Sequence, residues 1–232
     1  GKKWDANFWV YGQTGTSKGN SVSAYDLAIN FNYSVNEKFK AGIGYELLSG
    51  KSQEDTSAAV KSFNPIFGTN HAFNGYMDYF YVGNHINSVG LQDIFFGLKY
   101  KTEKFWVAAD AHLFAATADV RDKYKYDKAV ADAIAAGQPT TDIDKYPVMN
   151  ASLGTEIDMS FGFNLAKGVD LQAGYSIMID TETLAYLKGV KYAANNVNAG
   201  QGRTDQMNSW GWLMITFKPK FITGEEKKEE KK

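Results

Sequence analysis

Cysteine is absent from the 232 residues, which removes disulfides, thiolate nucleophiles and cysteine-held metal or iron–sulfur chemistry together. An oxidising compartment is permitted and not required. Arginine is almost as scarce, occurring only at Arg121 and Arg203, and there are four prolines. No run approaches the ~18 apolar residues of a membrane-crossing helix, and the mean hydropathy is −0.37. A β-barrel escapes that test, because only alternate residues of its strands meet lipid. With a net charge of −1 and a pI near 6.4, there is no electrostatic case for binding nucleic acid or an anionic membrane surface. The chain begins at Gly1 without a methionine or signal segment; a processed mature protein and a fragment both fit.

What the sequence does contain is period-two alternation over unusual lengths. In residues 153–163, Leu153, Thr155, Ile157, Met159, Phe161 and Phe163 share one face, against Gly154, Glu156, Asp158, Ser160 and Gly162 on the other. After a turn at Ala166-Lys167-Gly168, Val169, Leu171, Ala173, Tyr175, Ile177 and Ile179 oppose Asp170, Gln172, Gly174 and Ser176. Successive strand side chains point to opposite faces, so this is a hairpin with one apolar and one polar face. Each arm is about ten residues or more, the length of a tilted membrane-crossing strand and longer than the usual ~5–6 of a globular one.

The same pattern recurs. Strands are expected near 4–12, 24–35, 39–48, 91–101, 105–119, 149–165, 169–185 and 210–221. The run TGTSKGNS (14–21) reads as a polar loop, and 36–38 and 102–104 read as tight turns. Residues 73–82 (FNGYMDYFYV) are rich enough in aromatics to suggest another strand. Counting it would put the short turns at 36–38 and 102–104 on opposite sides, whereas barrels of this kind keep short turns on the periplasmic side. Residues 49–90 are therefore assigned to one long loop, external or folded into the lumen, with room for a local hairpin. The alanine-rich run 127–137 reads as a short loop helix or, equally, as a partly ordered surface loop. The tail 222–232 (TGEEKKEEKK from 223) is a balanced charge run expected to be solvated and disordered. Aromatic residues near strand ends (Trp4, Phe8, Tyr33, Phe39, Tyr100, Phe105, Phe161, Phe163, Phe217, Phe221) suit an interfacial belt.

Catalytic and metal chemistry have little support. His112 and Asp110 share a face and suggest a base with its orienting acid, yet no serine in a nucleophile-elbow context accompanies them. Polar lumen lining is the preferred reading of that pair. Asp122, Asp127, Asp142 and Asp144 in one loop offer carboxylates for Ca²⁺, but a solvated acidic loop explains them more simply. No enzyme activity, metal or cofactor is expected.

At the long loop the chain becomes recognisable. The run 63–80, FNPIFGTNHAFNGYMDYF, together with GYELLSG at 44–50, GLQD at 90–93 and ITFKPKF at 215–221, resembles outer-membrane proteins of Bacteroidetes classed in the alginate export family. The resemblance runs from about Ser23 to Phe221. It implies an all-β, antiparallel up-and-down transmembrane barrel in the outer membrane of a Gram-negative bacterium. Family members are generally larger, so it also implies that these residues are the C-terminal part of a bigger barrel. The partners expected are outer-membrane lipid, a polar solute or carbohydrate, and either further N-terminal strands or copies of the chain. The conduit of such a family carries a polyanion and looks to need a positive lumen.

Here the inward set is acidic. Asp5, Asp26, Glu46, Asp93, Asp110, Glu156, Asp158 and Asp170 stand against Lys40 and Lys99, a balance that favours cations or neutral solutes over a polyanion. The residues expected to line the pore are Asp26, Asn30, Lys40, Glu46, Asp93, Lys99, Asp110, His112, Glu156, Asp158, Asp170 and Gln172. Those expected to form a constriction from the long loop are Asn64, Pro65, Asn70, His71, Tyr76 and Asp78. Two functions are consistent with this: a passive outer-membrane channel, or a small closed barrel that binds or supports without an open pore. Eight strands leave an interior that side chains just fill, whereas about 16–18 leave an aqueous channel.

Overall fold

A computed structural model describes residues 3–66, 73–80, 83, 85, 88–144, 147–189 and 207–219. Eight strands form a single sheet in which each pairs only with its sequence neighbours, every time antiparallel. They are β1 (Trp4–Ser17), β2 (Asn20–Ser34), β3 (Phe39–Leu48), β4 (Leu91–Lys101), β5 (Phe105–Ala115), β6 (Ser152–Ala166), β7 (Val169–Asp180) and β8 (Asn208–Phe217). Among the described residues β1 and β8 are not joined, so the all-β meander is an open one, as fits a section of an up-and-down barrel.

The period-two pattern sets the register. Directly opposed residues share a face, and Phe39↔Tyr100, Phe105↔Phe163 and Ile157↔Ile177 place apolar against apolar. A one-residue slip would turn every one of these side chains to the wrong side. The outer face is left bare: Phe8 is 73% exposed, Trp4 58%, Ile29 54% and Leu98 50%. Trp4, Tyr33, Phe39, Tyr100, Phe105, Phe163 and Phe217 all fall on this face at the end carrying the turns 35–38, 102–104 and 167–168. Their rings touch in places, as in the stacked Trp4–Phe31 pair and the tilted Tyr100–Phe105 pair. Phe221, expected in this belt, lies outside the described residues, as do the tail 222–232 and residues 190–206.

Several boundaries differ from the sequence reading, among them those of β8, which begins at Asn208 and closes at Phe217 rather than running 210–221. Residues 14–17 and 20–23 are not a loop but the outer ends of β1 and β2, paired up to Ser17↔Asn20. Their serine, threonine and glycine content suggested a loop; what matters is that Lys18 (φ 49°) and Gly19 (φ 83°) supply the two positive φ values of a two-residue hairpin turn. β5 stops at Ala115, and β6 begins only at Ser152, with a register shift where the two meet. β7 ends at Asp180, and 182–185, expected as strand, belong to α2 (Glu182–Leu187). The reason is a cap: the Thr181 hydroxyl accepts a hydrogen bond from the Leu184 amide at 3.3 Å. The alanine-rich run is a helix that starts earlier than expected, α1 (Lys123–Ala135), because the Asp122 carboxylate accepts from the Lys125 amide at 2.9 Å.

Residues 73–80 contain no strand, so the turns 35–38, 102–104 and 167–168 lie at one end, and the three long connections share the other with the Lys18-Gly19 turn, the one short connection that breaks the expected alternation. At the long-connection end the loops close over the sheet and make a core. Leu48, Leu91, Phe114, Leu153 and Met178 from the strands pack with Phe63, Val89, Val120 and Leu184 from the connections. This core is what holds the long loop against the polar face.

Candidate functional site

The polar face is built from register. Glu46 lies opposite Asp93, Asp110 opposite Asp158, and His112 opposite Glu156, so one band of carboxylates crosses β3 to β6. Like charges placed directly across a strand pair oppose folding unless something compensates. His112 is one compensation: its Nδ1 lies 2.9 Å from Asp93 Oδ2 and its Nε2 3.8 Å from Asp158 Oδ2. Ser176 is another, its hydroxyl donating to Asp158 Oδ1 from the neighbouring strand.

The remaining donors come from the long loop. Asn74 donates its side-chain amide to Glu46 at 2.8 Å and to Asp93 at 3.3 Å. The Met77 backbone amide donates to Glu156 Oε1 at 2.8 Å. Between them Gly75, at φ 83°, lies so close that a Cβ would stand 2.5 Å from Glu156 Oε1. The loop is also pinned at its start, where Gln13 and Asn64 exchange two hydrogen bonds of 2.6 and 3.1 Å, and Val60 exchanges backbone bonds with Ser21 and Ser23. Near its end His85 is buried and donates from Nε2 to the Phe80 carbonyl at 3.0 Å. Burial holds the His85 imidazole below its ordinary pKa, and the Lys188 ammonium pushes the same way. Lys188 itself donates to the Tyr79 carbonyl at 2.6 Å and stands over the Tyr79 and Phe80 rings.

The residues expected on the inward face all lie on the polar side of the sheet, but in two layers. Glu156 is fully buried and Asp93, Asp158 and Asp26 nearly so, sealed at the end of the sheet where the loop packs. Glu46, Asn30, Asp110 and His112 are partly covered. Lys40, Lys99, Asp170 and Gln172 sit toward the short-turn end. There Lys40 pairs with Asp5 at 3.1 Å, Asp170 with Lys218 at 2.8 Å, and Lys99 stands 4.9 Å from the centre of the Trp106 ring. Of the loop residues, Asn64 and Pro65 lie over β1 while Tyr76 and Asp78 are half-buried beside the acidic band; Asn70 and His71 are outside the described residues.

The His112–Asp110 pairing is corrected. Asp110 and His112 do share a face of β5, but the imidazole turns to Asp93 on the neighbouring strand. Among the described residues no serine or threonine hydroxyl bonds to it, and Ser176 is engaged by Asp158. In the second loop Asp122 is spent on capping α1 and Asp127 pairs with Lys123 at 2.5 Å. Among the described residues no group of three or more candidate ligands gathers around a common point.

Sequence reasoning did not single out Asn74 or Ser176, which supply donors to the acidic band. For Asn74 there was a signal, the Asn-Gly dipeptide, which marks a turn in positive φ; Asn74 has φ 53°. For Ser176 the signal is cross-strand register, which a single strand does not reveal.

No protein-family model matches the chain, and no curated protein matches it. Among solved structures, the NanC porin in a rhombohedral crystal form aligns with 94% of this chain and 74% of its own, at 10% identity and a TM-score of 0.44. A likeness at that score carries no argument, so the barrel reading rests on the meander and its two faces.

Proposed function

We propose that this chain is part of an outer-membrane, porin-like channel of a Gram-negative bacterium that passes small or oligomeric polar solutes passively. One observation carries the reading: the outer face of eight long strands exposes a continuous band of large apolar side chains while the other face is polar and acidic. Water-soluble monomers rarely bare so extensive an apolar surface, whereas a lipid bilayer requires it. The aromatic residues gathered at the short-turn end suit the headgroup boundary. In this reading the acidic band lines the lumen, the 49–90 loop narrows it, and cations or neutral solutes are preferred. The resemblance to the alginate export family supports the architecture; the acidic face speaks against a polyanionic cargo.

Planar-bilayer recording of the natural full-length protein tests the reading, with discrete conductance steps expected and none above background as the result that would sink it. Changing Asp93 to Asn, Glu156 to Gln and Asp158 to Asn should lower the cation preference, and an unchanged reversal potential would contradict the lumenal placement. The second reading, a small closed barrel that binds without conducting, is favoured by the burial of Asp93, Glu156 and Asp158 beneath the loop. It predicts silence in the same recording.

A further inference from the structure

Four of the five tryptophans lie on the polar side of the sheet. Trp9 opposes Ala28, Trp106 opposes Gly162, Trp210 opposes Ser176 and Trp212 opposes Gly174, all inward-facing positions. A tryptophan serving only as a lipid anchor belongs on the outer face, as Trp4 does.

Trp106 and Trp212 share a further geometry. A Cβ on Gly162 would stand 2.2 Å from Trp106 Nε1, and one on Gly174 would stand 2.4 Å from Trp212 Nε1. Each indole therefore leans over a bare backbone position of the next strand, Trp106 from β5 over β6 and Trp212 from β8 over β7. Gly162 opposes Gln172 and Gly174 opposes Ser160, so the two bare positions are diagonal neighbours across β6 and β7, about 7–8 Å apart on one face. The polar positions between them are Ser160, opposite Gly174, and Gln172, opposite Gly162. The described anchors of the 49–90 loop, at Gln13, Glu46, Asp93 and Glu156, fall elsewhere on the face. Both indoles remain partly accessible.

We propose that Trp106 and Trp212 form a stacking platform for a neutral saccharide, with the partly accessible Gln172 taking its hydroxyl groups. The proposal rests on the lumenal reading of this face. A pyranose ring offers an apolar C–H face to the electron-rich ring plane and hydroxyls at its edge, which matches two flat indoles with the Gln172 amide between them. An organic cation is matched less well, because the Lys99 ammonium already stands over Trp106 and repels it. A polyanion meets the carboxylate band.

The test is binding of maltopentaose to the natural full-length protein in detergent, followed by tryptophan emission and equilibrium dialysis. Saturable binding is expected. It should weaken about tenfold when Trp106 and Trp212 are both changed to leucine, and less when both become phenylalanine, which keeps a ring face if the leucine pair folds poorly. Absence of saturable binding, equal binding by the double leucine variant, or choline binding in place of the sugar each overturns the platform. Conductance in sugar-free buffer reports on the channel separately, so failure of the platform and failure of the channel are told apart.

Discussion

Asn74 and Glu46 are joined by a 2.8 Å hydrogen bond whose amide donor reaches Asp93 as well, at 3.3 Å. Glu46 and Asp93 are direct cross-strand neighbours of the same charge sign. One loop amide thus bridges two carboxylates that the sheet forces together, and the loop and the acidic band depend on each other. Asn74→Asp keeps the shape and tolerates the positive φ, yet it replaces the donor with a third carboxylate. Hydrogen bonds to charged groups are worth about 1.5–3 kcal/mol each, so undocking of the 73–80 segment is expected. Channel conductance should rise in bilayer recordings, and a conductance equal to the parent's would show that this contact does not hold the constriction.

Gly75 makes the same dependence steric. Its φ of 83° and the 2.5 Å approach of Glu156 leave no room for a methyl group. Gly75→Ala should weaken docking of the loop by about 1–3 kcal/mol while the sheet persists. Limited proteolysis is the measurement: faster cleavage near residues 73–80 with unchanged β-sheet circular dichroism is expected. Equal cleavage would mean that the loop tolerates the substitution by shifting as a whole.

The strands were legible because alternation of apolar and polar side chains is a one-dimensional signal, and β3 and β4 fall where the pattern ends, at Phe39–Leu48 and Leu91–Lys101. The errors gather at the long-connection end. There Thr181 caps a helix that ends the β7 pattern early, Asp122 caps one that starts before the alanine run, and Lys18-Gly19 turns a polar stretch into a hairpin. The polar face was legible as a set of side chains and not as a network. Which carboxylate meets His112 depends on register between β4 and β5, and which ones the loop seals depends on contacts such as Met77 to Glu156, 79 residues apart. The Trp106–Gly162 and Trp212–Gly174 pairs are invisible for the same reason.

His85 gives the loop a pH dependence. Its imidazole is buried and neutral, held below its ordinary pKa of 6.5. The unfolded or undocked segment therefore binds a proton more readily than the docked one, and stability falls as pH drops through 6.5 toward the lowered folded value. Above 6.5 both states are neutral and this contribution is flat. Hydrogen-exchange protection, corrected for the intrinsic rate, should fall more in residues 73–89 than in the sheet between pH 7.5 and 5, and His85→Gln should remove the excess. An equal pH response in that variant would assign the effect to other groups.

The two faces differ most in what a charge costs. Ile157 lies on the outer face near the middle of β6, between Ala111 and Ile177, while Thr216 lies on the inner face opposite Asp170. In a bilayer, Ile157→Arg places a guanidinium among acyl chains and should cost about 2–4 kcal/mol. Thr216→Lys adds a cation beside a carboxylate on a polar face and should change stability by less than about 1 kcal/mol. Denaturant titration of the protein folded into lipid vesicles measures both. If the arginine is tolerated as well as the lysine, the outer face does not meet lipid; a soluble sandwich with a half-exposed sheet would follow, and the channel would fall with it.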